Sequence, residues 1–287
     1  MKNITFEKYQ GNGNDFIVID SRGNDLYKNY ETNKFFDIKK ICNRQFGIGA
    51  DGVIFIEKPN EDNYAKMIIF NSDGSEAQMC GNGIRCLVEY LHVNDSPNNK
   101  NNEFKIETKA GLKIAKYIND EITVKMGIPI LDSPNIPTKI EKKINSVPYH
   151  NFIEKNFISE GYAVGMGNPH LIFFVQNLES VPLSTLGPLF EKNELFPERT
   201  NVHFCQLLNR DNIKAKVWER GAGPTLACGT GACAIHVAAY KLGICNSETI
   251  VNLPGGNLKI KWSNEDSEVI MTGNANKVFS GLILVNQ

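Results

Sequence analysis

The longest fully apolar stretches of this 287-residue chain, Leu171-Ile-Phe-Phe-Val175 among them, are about five residues, whereas a membrane-spanning helix needs about twenty. A net charge is almost missing too: 31 basic residues face 32 acidic ones, a balance of −1. That leaves no basic field for a nucleic-acid backbone and no acidic tail. Cys-x-x-Cys pairs and clustered histidines are absent, which speaks against a metal site. So are a P-loop and a G-x-G-x-x-G at a strand–helix junction, which argues against nucleotide binding. Met1-Lys-Asn-Ile-Thr-Phe-Glu7 has neither the apolar core of a signal peptide nor the Arg/Ser richness of a transit peptide. Seven cysteines are an odd number in a chain long enough to build a core without staples, so the thiols are expected to be free. With 41% hydrophobic and 22% charged residues the composition is that of a globular protein. The expectation is a soluble, cytoplasmic protein of two domains or one large one, with no membrane, metal or nucleic-acid partner.

What is present is mostly strand. Phe16–Asp20, Gly52–Glu57 and Ala65–Phe70 read as buried strands, and Glu121–Met126 and Ile213–Trp218 alternate as half-buried ones do. Two helices are expected. Ile84, Leu87, Val88 and Leu91 mark one face of a helix starting near Gly83, and a second, apolar nearly all round, runs from about Ala232 to Leu242 and stops at Gly243. Asn94–Asn102 and Ile128–Pro137 read as loops.

The two halves repeat each other. Gly11-Asn-Gly-Asn-Asp15 before a strand matches Gly165-Met-Gly-Asn-Pro-His170 before a strand. Cys80-Gly-Asn-Gly83 before a helix matches Cys228-Gly-Thr-Gly231 before a helix. Leu112-Lys-Ile114 matches Leu258-Lys-Ile260, and Glu121–Gly127 matches Glu268–Gly273. The four offsets are 154, 148, 146 and about 147, in one order. Such a repeat describes two copies of one strand-rich α/β unit, with a site expected between them.

Each copy sets a cysteine directly before a Gly-x-Gly and a helix. The first N–H groups of a helix lack internal acceptors and carry the positive end of its dipole, so this position favours a bound carboxylate and a thiolate. Two such starts suggest a substrate carboxylate held by both, with a sulfur on each face of the adjacent carbon. A single cysteine near a helix start is more often a small buried hydrophobe, and Cys42, Cys86, Cys205, Cys233 and Cys245 read that way. For Cys80 and Cys228 the duplication favours chemistry. Asn71 and Glu219 each lie nine residues before their cysteine. Asn71 and Asp73 equally suit plain turn chemistry, Glu219-Arg220 a solvated turn, and His170 packing.

At these residues the chain resembles the diaminopimelate epimerases. The resemblance is carried by Gly11–Phe16, Gly47–Asp51, Asn71–Glu76, Cys80-Gly-Asn-Gly-Ile-Arg-Cys86, Met166–His170, Phe196–Asn201, Glu219–Gly223, Ala227–Ala232 and Leu253–Gly256, in the family's order. It implies an α/β (α+β) fold of two pseudo-symmetric units, each a curved, mostly antiparallel sheet wrapped around a central helix. Residues 1–127, with a returning C-terminal strand in 275–287, would form one unit and 128–274 the other, with the active site in the cleft between them. It further implies that Cys80 and Cys228 are acid and base, with no cofactor. Asn14, Asn71, Asn168, Asn201, Glu219 and Arg220 would contact diaminopimelate. Gly81, Asn82, Gly229 and Thr230 would hold the reacting carboxylate, and His170 and Glu219 would tune the thiols. A homodimer is likewise implied. The chain departs from the family at Gln10, Asn12, Gly52 and Pro224, and Tyr27–Phe36 is polar and carries no signal.

Inverting a Cα centre without an electron sink needs one group to remove a proton and another to deliver one to the opposite face. The reaction expected is interconversion of LL- and meso-diaminopimelate, a step of lysine and peptidoglycan precursor synthesis. Proline-racemase-like enzymes use two cysteines in a different, Cys-Gly-His-Gly type motif. The phenazine-biosynthesis isomerases lack the paired thiols. A catalytically silent amino-acid-binding module is the alternative from another class, separated by a proton-exchange assay.

Overall fold

A computed structural model of the chain describes residues 2–24, 26–33, 37–95, 102–154 and 157–285. It divides into two compact units, Met1–Val124 with Gly273–Gln287, and Lys125–Thr272, called unit 1 and unit 2 below.

In unit 1, strand Lys2–Gly11 turns at Asn12 and Gly13 into Asn14–Asp20. Both turn residues have positive φ, 54° and 78°, which Gly adopts freely and Asn more readily than most residues. Asn14–Asp20 runs parallel to Gly52–Glu57, which pairs antiparallel with Ala65–Asn71. That strand pairs antiparallel with the short Glu76–Ala77 and parallel with Glu103–Thr108. The ladder continues antiparallel through Gly111–Ile118 and Glu121–Gly127. On the other side, Asn276–Val285 lies antiparallel to Lys2–Gly11.

Unit 2 repeats the ladder step for step. Phe157–Gly165 turns, with Gly167 at φ 84°, into Pro169–Phe174. That strand runs parallel to Asn201–Asn209, which is antiparallel to Asn212–Glu219. Asn212–Glu219 takes Gly223–Thr225 antiparallel and Glu248–Leu253 parallel, and Gly256–Lys261 and Val269–Gly273 follow antiparallel. Val147–Glu154 pairs with Phe157–Gly165, in the place that Asn276–Val285 takes in unit 1.

Five helices join these strands among the described residues: α1 (Leu26–Asn33), α2 (Ile38–Cys42), α3 (Gly81–Asp95), α4 (Leu183–Glu191) and α5 (Gly229–Lys241). In unit 1, α3 is buried from Gly81 to Val88 and packs on strands from along the whole ladder, from Lys2–Gly11 to Gly111–Ile118. In unit 2, α5 is buried on nearly every side and packs on Phe157–Gly165, Pro169–Phe174 and Gly256–Lys261. The opposite sheet faces are also covered. Ile17, Ile19, Val53 and Phe55 meet Leu26, Tyr30 and Ile38 in one cluster, and Leu171, Phe173, Val202 and Phe204 meet Leu186 and Phe190 in the other. Burial on both faces is why these strands read as continuous apolar runs rather than as alternating ones.

Three expectations shift. Both central helices begin earlier than their apolar periodicity indicated, at Gly81 and Gly229, so each Gly-x-Gly forms the first helical turn rather than a separate turn before it. None of these four glycines has positive φ. The second glycine of each pair is instead a matter of space, tight at Gly83 and prohibitive at Gly231. A Cβ at Gly83 would lie 3.1 Å from Ile69 and 3.3 Å from the Cβ of Cys80, and one at Gly231 would lie 2.4 Å from the His203 ring. The helix α4 is an addition to the two helices expected, and it spans Gly187 and Pro188, which oppose helix. It forms where Gly187 lies flat on Trp218, an added Cβ there meeting the indole at 2.4 Å. The polar Tyr27–Phe36 stretch contains α1, whose Tyr30 stacks on Phe55 at 5.4 Å. Its last three residues lie outside the described residues, as do 96–101 of the loop expected at Asn94–Asn102. Asn94 itself belongs to α3.

Candidate active site

In unit 1, Cys80 directly precedes α3. Its carbonyl takes the first helical bond from Ile84 at 2.9 Å, and its Sγ receives the N–H of Gly83 at 3.5 Å. The sulfur also lies 3.6 Å from Oδ1 of Asn14. Asn14, the first residue after the hairpin turn, accepts from Nδ2 of Asn82 at 3.2 Å and donates to Asp51 at 2.8 Å. Three of the residues singled out in the sequence, Asn14, Cys80 and Asn82, thus meet around one thiol, with Gly81 between the last two. Charged groups surround them. Asp15 pairs with Lys8 at 2.8 Å and with Arg44 at 2.7 Å, and Arg44 also binds Asp51. Desolvation opposes ionisation of Asp15, but the cations prevail and hold its carboxyl far below the usual range. Asn71 sits elsewhere in unit 1, exposed at the end of Ala65–Asn71, where its amide donates to Ser75 Oγ at 3.0 Å. Asp73 caps the same turn by accepting from the N–H and hydroxyl of Ser75.

In unit 2, Cys228 is the N-cap of α5, with extended φ and ψ of −127° and 113°. Its Sγ accepts the N–H of Gly231 at 3.3 Å and lies 3.5 Å from Thr230 Oγ1. Sulfur here takes the role that a Ser or Asp oxygen plays at other helix starts. Glu219 accepts from Thr225 at 2.5 Å. Arg220 is exposed and reaches the carbonyl of Glu198 at 3.0 Å. Asn201 is buried and uses its amide on backbone, donating to Pro169 O at 2.9 Å and accepting from Arg220 N at 3.0 Å. It ties the 168–170 turn to the 219–221 turn.

His170 is fully buried and bonded on both nitrogens, Nε2 to Asn168 Oδ1 at 2.9 Å and Nδ1 to His203 Nε2 at 2.8 Å. An amide oxygen only accepts, so His170 donates to Asn168 and accepts from His203. His203 Nδ1 is then a bare acceptor, with no hydrogen-bond partner among the described residues. Burial holds both rings neutral. It pushes His203 down to about 3 and, with the neighbouring His203 and Arg220 adding to the effect, His170 well below its ordinary value. The pair reaches the helix start of α5, because a Cβ at Gly231 would meet both the His203 ring and, at 3.1 Å, Cys228 Sγ.

All seven cysteines are free thiols. Burial raises Cys42 to about 11 and Cys245 to about 12, and lifts Cys86 and Cys205 further, so these sulfurs are poor nucleophiles. Sequence reasoning missed His203, Asp51 and Arg85 as neighbours of the thiols. His203 occupies a buried strand position that an apolar residue could fill, so nothing in the pattern marks it. The departures are local. Gln10 closes the hairpin turn by accepting from Gly13 N at 3.0 Å, and a side chain at Gly52 would press within 2.4 Å of the Phe70 carbonyl. Among the described residues no three His, Cys, Asp or Glu side chains gather to hold a metal, and no helix is long and apolar enough to cross a membrane.

The sequence profile of the family described as Diaminopimelate epimerase matches residues 6–131 and 162–278. A diaminopimelate epimerase of Prochlorococcus marinus (strain NATL2A) is 51% identical over 285 residues, covering 99% of both chains. One from Microcystis aeruginosa is 47% identical, over 97% of this chain and 98% of its own. A chloroplastic diaminopimelate epimerase of rice is 43% identical, over 97% of this chain and 79% of its own. Among solved structures, a hydroxyproline epimerase from Agrobacterium vitis superposes with a TM-score of 0.69 at 14% identity, covering 99% of this chain and 91% of that one. A phenazine biosynthesis protein of the PhzF family from Bacillus anthracis gives 0.66 at 17%, covering 99% and 100%. At those identities the two structures speak for the fold alone. The profile and the near-full-length relatives decide the family, and the chain belongs to the diaminopimelate epimerases, which are isomerases.

Proposed function

We propose that the chain interconverts LL- and meso-diaminopimelate by moving one proton at Cα, with Cys80 and Cys228 as the two proton-transfer groups and no cofactor. The observation that carries the reading is the duplication: each unit presents a cysteine at the start of its buried central helix, with the sulfur accepting the N–H three residues on. Inversion needs an acid and a base on opposite faces of one carbon, and we assign one thiol from each unit to that task. Abstraction leaves carbanionic charge that spreads onto the α-carboxylate. The first-turn N–H groups at Gly81, Asn82, Gly229 and Thr230 are the donors assigned to that carboxylate. Asn14 and Asn168 flank the reacting centre, while Asn71, Asn201 and Arg220 are assigned to the distal end. Glu219 and His170 act on the thiols, His170 as a neutral imidazole.

The thiols must stay reduced to work, which supports a reducing compartment such as the cytoplasm. Leu282 and Leu284 are exposed and share one face of the last strand. That face supports a homodimer in which a second copy covers it.

The test is to incubate purified, reduced protein in deuterium oxide with either isomer and no added cofactor, and to follow stereochemistry and isotope at Cα. Interconversion with deuterium incorporation is expected. A folded, reduced protein that produced neither would sink the assignment.

A further inference from the structure

The carboxamide of Asn14 lies against Cys80, and its direction decides whether the sulfur meets an oxygen or an NH2 group. That direction is dictated from two sides. On one side stands Arg85 of α3, which is fully buried. It donates from Nη2 to Oδ1 of Asn12 at 2.6 Å and to Oδ1 of Asn82 at 3.0 Å, and from Nε to the carbonyl of Asn274 at 3.2 Å. A guanidinium has donors only, so Asn82 turns its oxygen to Arg85 and its NH2 away. That NH2 donates to Oδ1 of Asn14. On the other side stands the Asp51 carboxylate, which only accepts. It takes Nδ2 of Asn14 and is itself held by Arg44 at 2.7 Å and by the N–H of Asp15 at 3.1 Å. A donor-only group at one end and an acceptor-only group at the other demand the same orientation of both amides between them. Asn14 must point its oxygen at the start of α3, where Cys80 lies.

We propose that Arg85 and Asp51 are positioning residues of the reaction, which together lock the Asn82–Asn14 amide pair so that the Cys80 sulfur always meets a carbonyl oxygen. The proposal rests on the reading of Cys80 as a proton-transfer thiol. An oxygen there receives the S–H and keeps its proton aimed along one line, whereas an NH2 group in its place would favour the thiolate. Arg85 is five residues beyond Cys80 in the same motif, and its hydrogen bonds lead to the sulfur through two side chains, Asn82 and Asn14. The charged groups around this amide pair are Asp15, Lys8 and Arg44 about the first hairpin, Asp51 before Gly52–Glu57, and Arg85 on α3.

The lock is tested in the substrate-free, full-length protein by the pH dependence of iodoacetamide alkylation, with Cys80 and Cys228 resolved by peptide mapping. In Arg85→Gln the replacement can donate or accept, so the amides are released. The Cys80 midpoint should fall by about half to one pH unit, although loss of a nearby cation would by itself raise it. Cys228, on the other unit, should keep its midpoint and serves as the reference. Arg85→Lys still only donates and should leave the Cys80 midpoint close to that of the native protein. Turnover should follow, with kcat for epimerisation down about a hundredfold in Arg85→Gln, KM within about threefold, and most of kcat restored in Arg85→Lys. A Cys80 midpoint that stays or rises in folded Arg85→Gln, or equal shifts in the Gln and Lys variants, overturns the lock. If Arg85→Gln does not fold, Asp51→Asn decides. It is isosteric at a side chain 41% exposed, and read in about 1 M salt, where the lowering that loss of this anion would cause by itself is screened, an unmoved Cys80 midpoint overturns the proposal just as a lowered one supports it. Alkylation needs no turnover, so a native protein that failed to epimerise would refute the functional reading, and with it the role in the reaction, while the amide lock would still stand or fall by the Cys80 midpoint alone.

Discussion

The two units share a strand ladder and a helix-start thiol, yet they support those thiols with opposite chemistry. Around Cys80 the polar framework is ionic, with Lys8, Asp15, Arg44 and Asp51 interlocked and Arg85 buried behind them. Around Cys228 the buried framework is neutral, with two imidazoles stripped of charge by burial, His170 with help from the neighbouring Arg220, and an amide whose acceptor they consume. A repeated backbone therefore fixes where a sulfur sits, while the side chains behind it are free to diverge. The ionic half holds its geometry by charge pairing, and the neutral half by tautomer.

The largest expected effect tests whether the two halves are equal partners. Cys80→Ala and Cys228→Ala should each lower epimerisation by at least roughly 10³-fold, read as loss of chirality change at Cα in a folded protein whose Tm falls by only about 1–4 °C on losing the sulfur cap. Near-normal turnover in either variant would end the equivalence of the units.

Next comes a pair of substitutions that should separate them. Gly231→Ala places a methyl 2.4 Å from the His203 ring and 3.1 Å from Cys228 Sγ, whereas Gly83→Ala meets the ends of Ile69 and Ile54 at 3.1 and 3.3 Å and the Cβ of Cys80 at 3.3 Å. The first should cost about a hundredfold in kcat/KM and the second only severalfold, because contacts just inside van der Waals distance can be relieved by small shifts and a clash with a buried ring bonded to His170 cannot. Equal losses would show that the neutral half is no stiffer than the other.

Arg220→Lys should reduce kcat/KM for diaminopimelate about thirtyfold, roughly 2 kcal/mol, since a lysine cannot fork two bonds to a distal carboxylate. A substrate lacking that carboxylate should be processed poorly by the native enzyme and little worse by the variant. An equal loss on both substrates would move Arg220 to the reacting centre.

The smallest effect is on stability. His170, His203 and His236 are all held below their ordinary value by burial, His203 to about 3 and His236 to about 4. The unfolded chain therefore binds more protons than the folded one, and stability rises with pH over the interval between those values. Stability is full above about pH 6.5 and is lost as pH falls toward 4. Calorimetry should show Tm falling by roughly 5–10 °C between pH 7 and pH 5. A flat Tm over that interval would mean that the imidazoles are not kept neutral.

Much of the architecture was legible in the sequence, and for a stated reason: four motifs recurring at nearly constant offset describe a ladder that does repeat, parallel steps included. Strand bounds came within one or two residues because apolar runs end where burial ends. What was not legible depended on partners far away in sequence. Leu183–Glu191 reads as a poor helix until Trp218 is laid across Gly187. His203 looks like any strand residue until His170, 33 positions earlier, is bonded to it. The Gly-x-Gly pairs look like flexible turns, while Gly231 is demanded by crowding and Gly83 is closely packed. Both thiols stood out because duplication marked them. Arg85 lay in the same motif, but a buried arginine that acts through two amides leaves no pattern of its own.

The returning strand Asn276–Val285 has a consequence for how the protein is made. Its partner Lys2–Gly11 leaves the ribosome first, and the whole of unit 2 is translated in between. Unit 2 is continuous and carries its own flanking strand in Val147–Glu154, so it can fold as it emerges. Unit 1 must wait with one side of its ladder open, an unpaired edge that invites another chain. Completing it requires joining residues more than 260 positions apart, the slow kind of long-range closure. Nascent chains stalled after Gly273 should therefore hold a protease-resistant unit 2 beside an unfinished unit 1, and the first thiol should come to its final setting last.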